Sequence, residues 1–297
     1  MKTRNLFIAL ITLFITSGLL MSCDSEVSTT GTAGVKVTDA AVDAENITGV
    51  YLSVSEVKAH GNAQSHTITS FDSPKTFNVM DYQNGSTFDL GEGEINAGSY
   101  NELRLILAEG SYVAFKDGST EPLDVSSGTS SGYKIKGDYQ IASNNKTDLV
   151  IDIDLRKAFV KTGNDLYKLR PTARLVNAEN TGTIRGTVTA SGEDRVVVYA
   201  YSKGSYNASE TDTPADGESR FESSVNSAVV ANGQFKLAFM EPGEYDLITV
   251  AYEQDEANET YTFKSATKAE VMLNGNILDL IEVAAKAEVI VVLNPGF

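Results

Sequence analysis

Apolar residues recur at every second position along most of this chain, and that period constrains the fold more than any other feature. In "DLVIDIDLRKAF", Leu149, Ile151, Ile153 and Leu155 share one face, while Asp152 and Asp154 share the other. Val50, Leu52 and Val54 alternate with Tyr51, Ser53 and Ser55, and Leu103, Leu105 and Leu107 alternate with Glu102 and Arg104. Period two marks strands with one face buried. Turn signals separate these runs: Asn84-Gly85, Asp117-Gly118, the Ser/Gly segment 126–132 and Asn144-Asn145. Short stretches such as 98–106 also fit a helical period, but no long amphipathic helix appears. The expected class is all-β.

A boundary falls near "NAENTG", residues 177–182. Beyond it about seven short strands follow at regular spacing, the pattern of a β-sandwich. In "NGQFKLAFMEPGEYDLITVAYE" an Asn-Gly turn launches one strand. Pro242 then presets φ, and Gly243 is expected at the positive-φ turn position. The organisation expected is a signal peptide over 1–22, a lipidated Cys23 with a flexible tether over 23–33, a β-rich domain over 34–180 and a β-sandwich over 181–297. This amounts to two β-sandwich-type domains after a lipoprotein signal peptide.

The leader carries Lys2 and Arg4, then an uncharged, mostly apolar run from Leu6 to Met21. That run is short for a spanning helix, which needs ~20 apolar residues, and it fits a secretory signal. Ser22 precedes Cys23, the one cysteine of the 297 residues. Leu20-Met21-Ser22-Cys23 resembles the lipobox of bacterial lipoproteins; Met21 departs from it, because that slot is usually smaller. The resemblance implies that Cys23 carries a covalent diacylglyceryl lipid and palmitate-type chains, and becomes the first residue after cleavage. A plain secretory signal with an accidental cysteine, or an uncleaved anchor, are the alternatives. Two or more acyl chains hold a protein stably where one does not, and lipid would consume an otherwise odd thiol. The mature chain would then hold no disulfide, no cysteine nucleophile and no cysteine metal site. The expected location is the outer membrane, facing the periplasm or the cell surface, with membrane lipid as a partner through Cys23.

Lys and Arg number 24 against 40 Asp and Glu, a net charge of −16. Losing Lys2 and Arg4 with the leader leaves 22 basic residues against those 40, a net charge of −18. Such a surface repels nucleic acid, which is excluded as a partner.

Two segments resemble known families. "VKVTDAAVD", "ITGVYLSVSEVKAHG" and "FNVMDYQNGSTFDLGEGEINAGSYNELRLIL" make residues 34 to about 178 similar to the domain-of-unknown-function family 4382 of bacterial lipoproteins. That family brings no activity with it. "GTIRGTV" and "NGQFKLAFMEPGEYDLITVAY" make residues 182–297 similar to the transthyretin-like, carboxypeptidase-regulatory-like sandwich, which is grouped with a carbohydrate-binding-like fold. Fold alone does not give function.

Several constellations bear on chemistry. Ser55-x-x-Lys58, Ser143-Asn144-Asn145 and Lys161-Thr162-Gly163 match the three serine motifs of penicillin-binding enzymes in order. Yet the first must open a helix, and Ser55 and Lys58 lie in a strand pattern, where a spacing of three places them on opposite faces. His60 and His66 are the only histidines and flank a polar turn. Asp212, Asp216 and Glu218 hint at a calcium loop, but Pro214 takes a ligand position and Ser223 stands where the bidentate Glu belongs. Asp152 and Asp154 point the same way, as a carboxylate pair or as the wet face of a sheet. Tyr199 and Tyr201 share a strand face, with Tyr252 and Tyr261 expected near them; exposed, they would stack sugar rings, and inward, they are core.

The reading is a lipid-anchored envelope protein acting as a non-enzymatic binding or adhesion module. A carbohydrate-binding lipoprotein of a glycan-uptake system and a glycan hydrolase using paired carboxylates are the alternatives. No cofactor is expected beyond the lipid and the incomplete Ca2+ motif. Protein or glycan is the expected ligand, and the sequence leaves the oligomeric state open.

Overall fold

The computed structural model describes residues 29–39, 47–61, 64–125, 129–162, 166–189, 195–215, 218–255, 260–273, 275–278 and 280–295. Cys23, Asp216 and Gly163 lie outside the described residues.

The structure is nearly all β. The strands up to residue 177 are β1 (Thr30–Asp39), β2 (Ile47–Gly61), β3 (Gln64–Asn78), β4 (Phe88–Asn96), β5 (Gly98–Leu107), β6 (Tyr112–Phe115), β7 (Thr120–Val125), β8 (Tyr133–Ile141), β9 (Lys146–Ile153), β10 (Phe159–Lys161), β11 (Tyr167–Leu169) and β12 (Arg174–Asn177). One helical turn, α1 (Leu155–Ala158), follows β9. One sheet runs β12-β9-β1-β4; the other runs β10-β11-β7-β6-β2-β5-β8, with β3 paired to β2. The segment 98–106 is strand, within β5. Val35, Val37, Leu52, Leu103, Leu105, Ile135, Leu149 and Ile151 fill the space between the sheets. Each fully buried aliphatic side chain of this kind contributes ~1.5–3 kcal/mol.

The second set comprises β13 (Gly182–Val188), β14 (Arg195–Ser202), β15 (Asn226–Val229), β16 (Gln234–Met240), β17 (Gly243–Asp255), β18 (Thr260–Lys268), β19 (Glu270–Leu273), β20 (Asn276–Leu278), β21 (Ile281–Val283) and β22 (Glu288–Asn294). The sheets are β16-β13-β22-β19-β20 and β15-β14-β17-β18, with β21 on β17. Ile184, Val198, Leu237, Leu247, Val291 and Leu293 lie between them.

The turns follow from local chemistry. Asn84 and Gly85 sit at φ 55° and 84°, and Asn232 and Gly233 at 52° and 71°. Two successive positive φ values are what Asn-Gly supplies at low cost. Gly243 is different: it is not among the positive-φ residues. It opens β17, paired with Val283, so extended pairing overrides the turn expected there.

Strand β9 lies parallel to β1 and antiparallel to β12, with Leu149, Ile151 and Ile153 facing the core. Its other face is not wet. Val150 is fully buried and Asp152 nearly so. That face, with α1, meets the second sandwich.

Candidate functional site at the junction of the two sandwiches

The chain leaves β9 at Asp154 and makes the single turn α1. Leu155 and Ala158 turn into the first core, which directs Arg156 and Lys157 toward the second sandwich. The Arg156 guanidinium donates to the carbonyls of Arg220 at 2.6 Å and Phe221 at 2.7 Å. It also donates to Ser224 Oγ at 2.9 Å and to Asp154 Oδ2 at 2.7 Å. Its plane lies 4.9 Å over the Tyr199 ring. Lys157 Nζ donates to the Ser224 carbonyl at 2.6 Å and lies 3.5 Å from Asp154. The Arg156 side chain is only 5% exposed. Burial opposes its charge, but Asp154 together with the Tyr199 and Tyr252 hydroxyls outweighs that, so its pKa is raised. Burial lowers Lys157, with Asp154 acting in the other direction.

The receiving loop is shaped for this cation. Phe221 sits at φ 58°, a left-handed conformation that costs a non-glycine residue about 1–2 kcal/mol. Its carbonyl accepts from both Arg156 and Ser224 Oγ. Its ring stacks on Tyr199 at 4.6 Å. The strained residue thus ties the loop at once to the first sandwich and to the tyrosine cluster.

Three acids gather behind Arg156. Asp152 pairs with Arg174 at 2.6 Å. Asp39 accepts from the Leu155 amide and from Gln83 Nε2, both at 3.3 Å. Burial raises the pKa of both carboxyls; Asp39 stands well above its ordinary value, with Asp154 and Asp152 adding repulsion. Asp39 and Asp152 border a crevice of about 10 Å³, closed from the second sandwich by Asn226, Ser227 and Lys236. That is room for about one water. Gly85 closes the seam: a Cβ there would stand 2.9 Å from the Ala238 Cβ.

The junction corrects one sequence expectation and decides between the two readings of another. Asp152 and Asp154 are not a wet sheet face, because the second sandwich covers them, and each serves an ion pair. Tyr199, Tyr201 and Tyr252 are no exposed platform: they are 1%, 0% and 5% exposed. Strand β14 lies between β15 and β17, so one of its faces meets the sandwich core. The other packs with Phe221, Ile248 and Val250, with Tyr206 and Phe263 against them. Tyr199 and Tyr252 share a hydroxyl hydrogen bond of 2.9 Å, and Tyr201 donates to Glu210 at 3.0 Å. Stacking on a sugar needs an open ring face, which these three lack.

The remaining expectations fall on separate places. A β-bulge after Val54 breaks the alternation in β2, so Ser55 and Lys58 both lie off the core face rather than on opposite faces. Ser55 Oγ donates to the Ile106 carbonyl, and Lys58 pairs with Glu56. His60 contacts Ser65 and His66 contacts Gln64, in the strands flanking their turn. Asp212 and Glu218 are exposed. No group of three or more metal-ligating side chains occurs among the described residues. Arg156, Lys157, Phe221 and Ser224 were not singled out by sequence reasoning. The available signal was the loss of period two at "LRKA", where two cations follow two strand acids.

The class of the molecule is thus an all-β protein of two sandwiches. Residues 30–171 match the family described as "Domain of unknown function (DUF4382)". No curated protein matches the chain. Among solved structures it is similar to the Bacillus anthracis TIE protein, at 12% identity over 90% of this chain and 34% of that one, with a TM-score of 0.19. It is also similar to GBS52, the minor pilin of Streptococcus agalactiae, at 10% identity over 88% and 94% of the two chains, TM-score 0.21. The fimbrial anchor protein Mfa2 from Porphyromonas gingivalis matches at 12% identity over 83% and 98%, TM-score 0.17. This chain spans about a third of the Bacillus anthracis protein and 62% of a streptococcal ancillary pilin. Among the described residues no helix is long and apolar enough to cross a membrane.

Proposed function

We propose that this chain is a lipid-anchored protein of the bacterial cell envelope, a non-enzymatic binding or adhesion module. The observation that carries the reading is Leu20-Met21-Ser22-Cys23, set directly after a basic start and an apolar run. Lipid on Cys23 would hold the protein at the outer membrane, facing the periplasm or the cell surface. β1 takes up residues 30–33 of the tether expected over 23–33, so residues 24–29 would separate the anchor from β1.

The junction supports the non-enzymatic part. Asp152 and Asp154 are held in ion pairs with Arg174, Arg156 and Lys157, and Arg156 and Lys157 in turn make the hydrogen bonds that join the sandwiches. A glycosidase pair instead needs two carboxyl groups facing an open cleft, ~5–9 Å apart. The second sandwich is read as transthyretin-like, a support that positions the first.

Metabolic labelling with an alkyne analogue of palmitate tests the anchor. The wild-type chain takes up label and sediments with membranes. Cys23→Ser takes up none and is released or mislocalised. If Cys23→Ser stays membrane-bound with its leader cleaved, the anchor reading is wrong.

A further inference from the structure

The outer face of the large sheet in the first sandwich differs in charge from the rest of the chain. Cross-strand partners share a face and stand ~5 Å apart. Lys58 on β2 is paired with Arg104 on β5, and Arg104 with Lys134 on β8. The next outward row is His60, Glu102 and Lys136. Glu56 and Glu102 pair with Lys58 and Arg104. Lys134 and Lys136 are exposed and form no ion pair among the described residues. With Asp138, exposed on β8 two residues after Lys136, four cations therefore face three carboxylates, a local excess of positive charge on a chain whose net charge is −16. His60 senses the surplus: partial burial lowers its pKa, and Arg104, Lys58 and Lys134 add to that against Glu102.

A depression of about 410 Å³ adjoins these rows. Gly61, the residue after His60, lines its edge, and Ser99, Asn101, Asp138 and Gln140 supply its polar groups. A register shift between Tyr100 and Glu102 opens the β5–β8 ladder at this point. The volume is within the ~300–1,000 Å³ of small-molecule sites. Tyr100 and Tyr139 stack beneath at 5.4 Å, with their hydroxyls donating to the carbonyls of Asn96 and Glu102.

We propose that this outer face binds an anionic saccharide, with Lys58, Arg104, Lys134 and Lys136 facing its acidic groups and Ser99, Asn101, Asp138 and Gln140 its hydroxyls. The inference deepens the binding-module reading and rests on it. The mixture of groups selects the class. Cations alone would suit any polyanion, but Asp138 accepts from hydroxyls, and the two amides both donate and accept. A ligand carrying acidic groups and hydroxyls on one repeating unit satisfies both parts. The negative remainder of the chain does not prevent this, because charges beyond ~8 Å are largely screened at physiological salt.

The test uses the full-length chain in neutral detergent, with immobilised polygalacturonate, neutral dextran and immobilised glycerol phosphate, the headgroup chemistry of an anionic lipid, as probes. The chain binds polygalacturonate and not dextran, and the binding weakens as salt rises. Lys134→Glu with Lys136→Glu lowers polygalacturonate affinity about tenfold or more, as expected for charge reversal at a binding surface. Lys286→Glu, on the second sandwich, leaves it unchanged. Equal affinity of the double variant and wild type overturns the site while leaving a binding module elsewhere. Binding to glycerol phosphate but not to polygalacturonate assigns the surface to lipid headgroups and overturns the saccharide. No binding to any probe also overturns the proposal, while Cys23 labelling decides the anchor independently.

Discussion

The large sheet of the first sandwich turns Lys58, Arg104, Lys134 and Lys136 outward into solvent. The β14–β17 sheet of the second turns Tyr199, Tyr201 and Tyr252 outward and covers them. Both faces come from alternating strands, and both carry side chains that often bind ligands. They differ in what packs on top. Over the tyrosines lie the loop through Phe221 and, from the other sandwich, the Arg156 guanidinium. An outward face with aromatic rings had to be covered or left as exposed apolar surface, whereas one with charged rows is stable in water as it stands.

The largest expected effect comes from breaking the cover. Arg156→Ala removes four donated hydrogen bonds and strands Asp154 without its closest cation. Loss of one partner from a buried pair costs about 3–5 kcal/mol. Urea denaturation should show that loss, together with an earlier transition of the second sandwich. A change under about 1 kcal/mol would mean that the joint is incidental to stability.

A smaller effect, opposite in sign, is expected at Asp39. Its folded-state pKa is raised by burial and then by repulsion from Asp154 and Asp152. Between the ordinary carboxylate range and that raised value, the folded chain binds more protons than the unfolded chain. Stability therefore falls as pH rises through this window. Asp39→Asn keeps the acceptor for the Leu155 amide and cannot ionise. It should raise the thermal midpoint at pH 7 and flatten the pH dependence without abolishing it, because Asp152 is also raised. A lower midpoint at pH 7 would show that the charged carboxylate is favourable there.

The smallest effect is expected on the open face. Lys134→Glu with Lys136→Glu should change folding stability by no more than about 0.5 kcal/mol, because both side chains are exposed. A loss of several kcal/mol would mean that this face is part of the fold's support, and its likeness to the covered face would be closer than described.

Strand class and facing were legible in the sequence. Leu103, Leu105 and Leu107 alternate there and are buried together in the structure. Asn84-Gly85 turns where its residue types require. The cover was not legible, because period two says which residues share a face and nothing of what lies over it. Asp152 reads as a wet residue until the second sandwich and Arg174 are placed beside it. The β2 bulge is hidden for a similar reason: one extra residue shifts Ser55 and Glu56 without changing composition. Phe221 gives no local signal, since only tertiary contacts hold a phenylalanine at positive φ. The basic rows were hidden by distance along the chain, because Lys58, Arg104 and Lys134 meet only through strand pairing.

Tyrosine nitration of the full-length chain, read by mass spectrometry, tests the contrast between covered and open faces most directly. In the wild type, Tyr199, Tyr201 and Tyr252 should stay unmodified under conditions that nitrate the more exposed Tyr51 and Tyr112. In Arg156→Ala, Tyr199 should become reactive. Nitration of Tyr199, Tyr201 and Tyr252 in the wild type at the rate of Tyr51 and Tyr112 would contradict the covered face, and with it the joint between the sandwiches.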